Sequence, residues 1–128
     1  MARILCFSDT TAVAFALQQG REGRNDDVHV LSASRLSDQT RERVRQLNPD
    51  VILMEVTRAL DNPHIFFFLR SDQSTRMTPI ILVSTSSQLA LHAEILQADS
   101  YVDNPFDTQA LWQQIEGHLP RERAVYAA

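Results

Sequence analysis

The sequence predicts an α/β domain, a doubly wound (βα)5 sheet of five parallel strands covered by helices on both faces. Three observations predict it. Short, nearly continuous apolar runs recur at residues 3–7, 28–31, 51–56, 80–83 and 101–102. Segments with apolar residues at helical spacing separate those runs, and proline, asparagine and serine punctuate the joins. A strand buried on both faces reads as a run rather than as an alternation, and runs alternating with amphipathic helices indicate a parallel sheet between two helical layers.

The elements follow in order. RILCF at 3–7 is the first strand, and it stops at the polar Ser8, Asp9 and Thr10. Residues 10–19 form a helix through Val13, Ala14, Phe15, Ala16 and Leu17, with Gly20 as its stop. A charged loop, 21–27, leads to the second strand at 28–31. Ser37 and Asp38 are placed to cap the second helix, in which Leu36, Thr40, Val44 and Leu47 share one face. Asn48-Pro49-Asp50 ends it, because proline disfavours helix for the residue before it. Residues 51–56 are the clearest strand, interrupted by Glu55.

Asp61-Asn62-Pro63 opens the third helix with a capping carboxylate and an early proline. Its inward side is Ile65, Phe66, Phe68 and Leu69. Three successive rings, Phe66 to Phe68, sweep about 200° of the circumference, so one of them must be partly exposed. Pro79 opens the fourth strand at 80–83. Ser86 or Ser87 is placed to cap a fourth helix reaching about Ala98. Residues 101–102 are the fifth strand, stopped by Asn104-Pro105. The last helix, 106–119, turns Leu111, Ile115 and Leu119 inward. Residues 1–120 make the domain, and 121–128 are a frayed tail.

Composition narrows the function. The 128 residues suffice for one core and are too few for two. Net charge is −4, which argues against a nucleic-acid partner. No apolar run approaches membrane-spanning length and no signal-peptide pattern opens the chain, so a cytoplasmic location is expected. One cysteine, Cys6, excludes an internal disulfide and a cysteine zinc cage. His29, His64, His92 and His118 have no metal-ligand spacing. With only three glycines and no nucleotide-loop motif, a phosphate cradle is not expected. All 12 basic residues are arginine; there is no lysine. Arg41, Arg43 and Arg45 read as the solvated side of the second helix.

In an open α/β sheet the working residues lie beyond the carboxyl ends of the strands. Here these are Ser8, Asp9, Glu55, Ser84, Thr85 and Asn104. Their surroundings resemble the receiver domain of two-component response regulators, the CheY-like, flavodoxin-like topology. The resemblance spans residues 3–119 and rests on RILCFSDT, NPDVILMEV, TPIILVST and ADSYVDNPF in that order. The spacings fit as well: 46 residues from Asp9 to Glu55, 29 to Ser84 and 20 to Asn104.

The resemblance implies a phosphoryl-accepting carboxylate, a Mg2+ ion on acidic oxygens, a lysine against the phosphoryl group and a mobile hydroxyl. Carried over, Ser8 and Asp9 stand at the acidic pair, Glu55 at the phosphoacceptor, Ser84 at the hydroxyl and Asn104 at the lysine. Tyr101 matches the aromatic switch and Pro105 the proline whose preceding bond is typically cis. The resemblance therefore implies an atypical, pseudo-receiver variant. One carboxylate is missing, Glu55 carries its carboxylate one methylene further out, and no register shift supplies a lysine. Asp9, Glu55 and the carbonyl of Thr57 make a reduced site, with weak Mg2+ binding at best.

Each residue also has a plainer reading. Glu55 is either a permanent mimic of a phosphorylated aspartate or a polar residue at a solvated strand end. Arg58 is either its partner cation or a loop arginine in water. Tyr101 either toggles or is fixed at the surface. The leading expectation is a non-enzymatic signalling module, independent of phosphorylation, that binds a protein partner or a second copy. Its contact surface would be the fourth helix, fifth strand and fifth helix, around residues 89–119, with Tyr101 and Trp112 as aromatic anchors. The second is a response regulator still phosphorylated weakly at Glu55 by a histidine kinase. The third is a small ligand-binding or enzymatic domain on the same fold.

Overall fold

The computed structural model describes residues 2–9, 11–20, 26–33, 35–55, 63–83, 98–102 and 107–119. Every residue of β3 (Val51–Glu55) and β4 (Ile80–Val83) is buried, as two-sided coverage requires. β1 (Arg3–Phe7) exposes only Arg3. These three are the inner strands. β2 (Asp27–Leu31) and the three-residue β5 (Ser100–Val102) are the edges, and both are partly open to solvent. All neighbours pair in parallel, in the order β2-β1-β3-β4-β5. This doubly wound order reverses direction at β1, between β2 and β3, and the crevice outside the strand ends there is the expected ligand position.

The described helices are α1 (Thr11–Gly20), α2 (Asp38–Leu47), α3 (Pro63–Ser71) and α4 (Thr108–His118). Side-chain alternation along the strands sorts them into two layers. Ile4, Cys6, Val51, Leu53, Ile81 and Val83 pack with Val13, Ala16 and Leu17 of α1 and with Leu111, Trp112 and Ile115 of α4. Leu5, Phe7, Ile52, Met54, Ile80 and Leu82 pack with Val44 of α2 and with Ile65, Phe66 and Leu69 of α3. Residues 86–97 of the expected fourth helix, the Asp61 cap, the Asn104-Pro105 bond and the tail at 121–128 lie outside the described residues.

The caps are specific. Ser37 accepts from Thr40 N–H at 3.1 Å and starts α2. The helix ends on Asn48 at φ 45°, a left-handed conformation that asparagine tolerates, and Pro49 then prevents continuation. Asp107, rather than Phe106, opens the last helix by accepting from Ala110 N–H at 3.2 Å. Of the three phenylalanines, Phe66 is buried, Phe68 is half-buried and Phe67 is 66% exposed. The arginines of α2 are more than a solvated face. Arg41 and Arg45 lie over the Phe68 ring at 5.8 and 5.6 Å, and Arg45 Nε donates to Asp72 at 3.0 Å, while Arg43 is exposed.

Trp112 also departs from expectation. It is not a surface anchor: it is 3% exposed, and its indole Nε1–H donates to Leu17 C=O at 3.2 Å. The reason lies at Gly20. A β-carbon there would fall 1.9 Å from Trp112 Cδ1 and 2.7 Å from Thr108 Cγ2, so the bare glycine makes room for the indole.

Carboxylates staple the N-terminal edge of the sheet. Asp26 accepts from Ala2 N–H at 2.9 Å, Asp50 from Arg3 N–H at 2.8 Å and Asp99 from Ile80 N–H at 2.7 Å. The backbone reciprocates: Asp50 N–H donates to Arg3 C=O at 2.8 Å and Asp99 N–H to Ile80 C=O at 2.9 Å. Asp99 also pairs with Arg70 at 2.8 Å.

Candidate functional site

The strand register assembles the opposite edge. Cys6 stands beside Leu53, so the chain two residues on brings Ser8 beside Glu55, on the face that α1 and α4 cover. Ser8 Oγ donates to Glu55 Oε1 at 3.0 Å. Both residues are nearly enclosed, at 6% and 8% exposure. Phe7 likewise stands beside Leu31, which carries Asp9 next to residue 33. Asp9 Oδ1 accepts from Ser32 Oγ at 2.7 Å and from Ala33 N–H at 3.2 Å. Ser8 N–H extends the ladder to Leu31 C=O at 2.9 Å.

Sequence reasoning placed Ser8, Asp9 and Glu55 at this edge but missed two of their partners. Ser32 and Ala33 went unremarked, although the parallel register points to them. Ser8 was read as a lost carboxylate, whereas its hydroxyl is a donor to Glu55. Thr57, Arg58, Ser84, Thr85, Asn104 and Pro105 lie outside the described residues.

Cys6 lies in the layer beneath this pair. Burial, and then the Glu55 carboxylate, push its thiol from 9.0 up to about 12. Burial and the raised pKa keep the reactive thiolate form scarce, which suits a core side chain rather than a nucleophile. Tyr101 sits on the edge strand β5 at 42% exposure. Beside it, Ser100 Oγ meets His118 Nε2 at 3.0 Å and ties β5 to α4. Among the described residues no three His, Cys, Asp or Glu side chains gather as a metal site.

No family model matches the chain, and no curated protein matches it in sequence. Solved structures do match. A candidate response regulator from Chloroflexus aurantiacus superposes with a TM-score of 0.74 at 18% identity, covering 91% of this chain and 95% of that one. The chemotaxis response regulator CheY4 of Vibrio cholerae gives 0.72 at 18% identity, over 93% of this chain and 99% of that one. The fold is that of the CheY-like receivers. The signal receiver domain of a modulated diguanylate cyclase from Desulfovibrio desulfuricans gives 0.68 at 21% identity, over 92% and 93%. The receiver fold puts the first, second and third strand ends at the edge where Ser8, Asp9, Ser32 and Glu55 meet.

Proposed function

We propose that this chain is a receiver-like module of two-component signalling that acts by binding a protein partner and is not switched by phosphorylation. One observation carries the reading. Glu55, at the acceptor position of the receiver pattern, is a buried carboxylate that accepts a hydrogen bond from Ser8. An acceptor must present an oxygen to an incoming phosphorus in line with the leaving group, and small displacements of a nucleophile cost large factors in rate. The chain also has no lysine to neutralise the transferred group.

In this reading Glu55 supplies a standing negative charge at the end of β3, as a mimic of the modified aspartate. The contact surface includes the β5 edge, with Tyr101 as its exposed aromatic. Trp112 has no part in it, being committed to the core. The module has no enzymatic activity of its own, works in the cytoplasm and binds neither nucleic acid nor membrane. Among the described residues no helix is long and apolar enough to cross a bilayer.

The test is intact-mass analysis after incubation with acetyl phosphate and Mg2+, and separately with phosphorylated histidine kinases. The expected result is no phosphoryl adduct. An adduct that disappears in Glu55→Ala would establish the alternative, a weak glutamyl acceptor fed by a kinase.

A further inference from the structure

The receiver fold implies a divalent cation at the C-terminal edge of the sheet, and the residues present do not suit one. Mg2+ needs near-octahedral oxygen ligation, usually from one or two carboxylates with water completing the shell. A cation there offsets the mutual repulsion of crowded carboxylates. This chain relieves the crowding by other means. Ser8 removes one negative charge from the edge and returns a hydroxyl donor, 3.0 Å from Glu55 Oε1. Asp9 is drawn toward the end of β2, where the Ser32 hydroxyl at 2.7 Å and the Ala33 N–H at 3.2 Å hold its Oδ1. Hydrogen bonds to an ionised acceptor are the strong ones, so each carboxylate has gained a neutral donor of substantial worth.

We infer that the Ser8 hydroxyl stands in for the metal, and that this edge is closed to divalent cations because Ser8 occupies Glu55. The inference deepens the phosphorylation-independent reading and rests on it for the alignment of the site. It makes position 8 the determinant. A cation would have to compete with the Ser8 hydroxyl at Glu55 Oε1 in a nearly enclosed setting, with no third acid in reach among the described residues. Ser8→Asp would remove the donor, add the third carboxylate and create a repulsion that a cation relieves.

The experiment is a Mn2+ titration of the uniformly 15N-labelled full chain, reading paramagnetic broadening of amides at the ends of β1 and β3. Wild type is expected to show no saturable broadening there at millimolar Mn2+. Ser8→Asp is expected to show saturable broadening that Mg2+ competes away. Saturable broadening in wild type that is lost in Glu55→Gln overturns the inference. So does a folded Ser8→Asp that gains no binding. Should Ser8→Asp not fold, the wild-type and Glu55→Gln pair decides alone. The two readings fail separately. A phosphoryl adduct on wild type, formed without metal binding, sinks the proposed function and spares this inference. Mn2+ binding by wild type without an adduct does the reverse.

Discussion

At the N-terminal edge of the sheet, Asp26, Asp50 and Asp99 each accept a backbone N–H from the neighbouring strand. At the C-terminal edge, Glu55 accepts from the hydroxyl of Ser8, and Asp9 from the hydroxyl of Ser32 together with the Ala33 N–H. The acids are alike; their donors are not. A backbone donor is supplied by the fold whatever residue carries it, proline excepted. A hydroxyl donor exists only while a particular side chain does. The donors of the first edge are therefore fixed by topology, while the hydroxyl donors of the second can be rewritten by a single substitution. In a parallel α/β sheet that is the edge where function lies.

The largest expected effect concerns the thiol under the rewritable edge. Between pH 9.0 and about 12 the native Cys6 thiol stays protonated while the unfolded one ionises. The native state then binds more protons, so this contribution is complete below pH 9.0 and is lost as pH rises toward about 12. The slope approaches about 1.4 kcal/mol per pH unit. Urea denaturation above pH 9.0 should show it in wild type and show a shallower decline in Cys6→Ala. Parallel curves would mean that the thiol is not enclosed beneath Glu55.

Next comes Asp26→Leu at the fixed edge. It leaves the buried Ala2 N–H without its side-chain acceptor and should lower stability by about 2 kcal/mol. Asp50→Ala, in a less buried setting, should cost about 1 kcal/mol by the same measurement. The smallest effect belongs to Glu55→Gln. The amide oxygen still accepts from Ser8, and the lost charge assistance is partly offset by no longer burying a charge, so the change should stay below about 1 kcal/mol. A loss exceeding that of Asp50→Ala would erase the contrast between the two edges.

Much of this was legible beforehand. VILME and IILV announce inner strands because burial on both faces leaves no polar position to alternate with. The one polar member, Glu55, stands out for that reason. The staples were not legible, because Asp26, Asp50 and Asp99 acquire meaning only once the adjacent strand is known. The Ser8–Glu55 bond joins residues 47 apart and needs both the strand order and the side-chain phase. Trp112 was misread for a related reason. The space that buries it is made by Gly20, and helical periodicity around position 112 carries no trace of a glycine on α1.

That pairing has an optical consequence. The chain holds one tryptophan, and its indole is wedged against the end of α1 with its N–H bonded to Leu17 C=O. Its fluorescence therefore comes from a single site whose environment is set by how closely α1 lies on α4. Any event that lifts α1 away from the sheet, whether partner docking or the first step of unfolding, will shift that emission to the red without an added label.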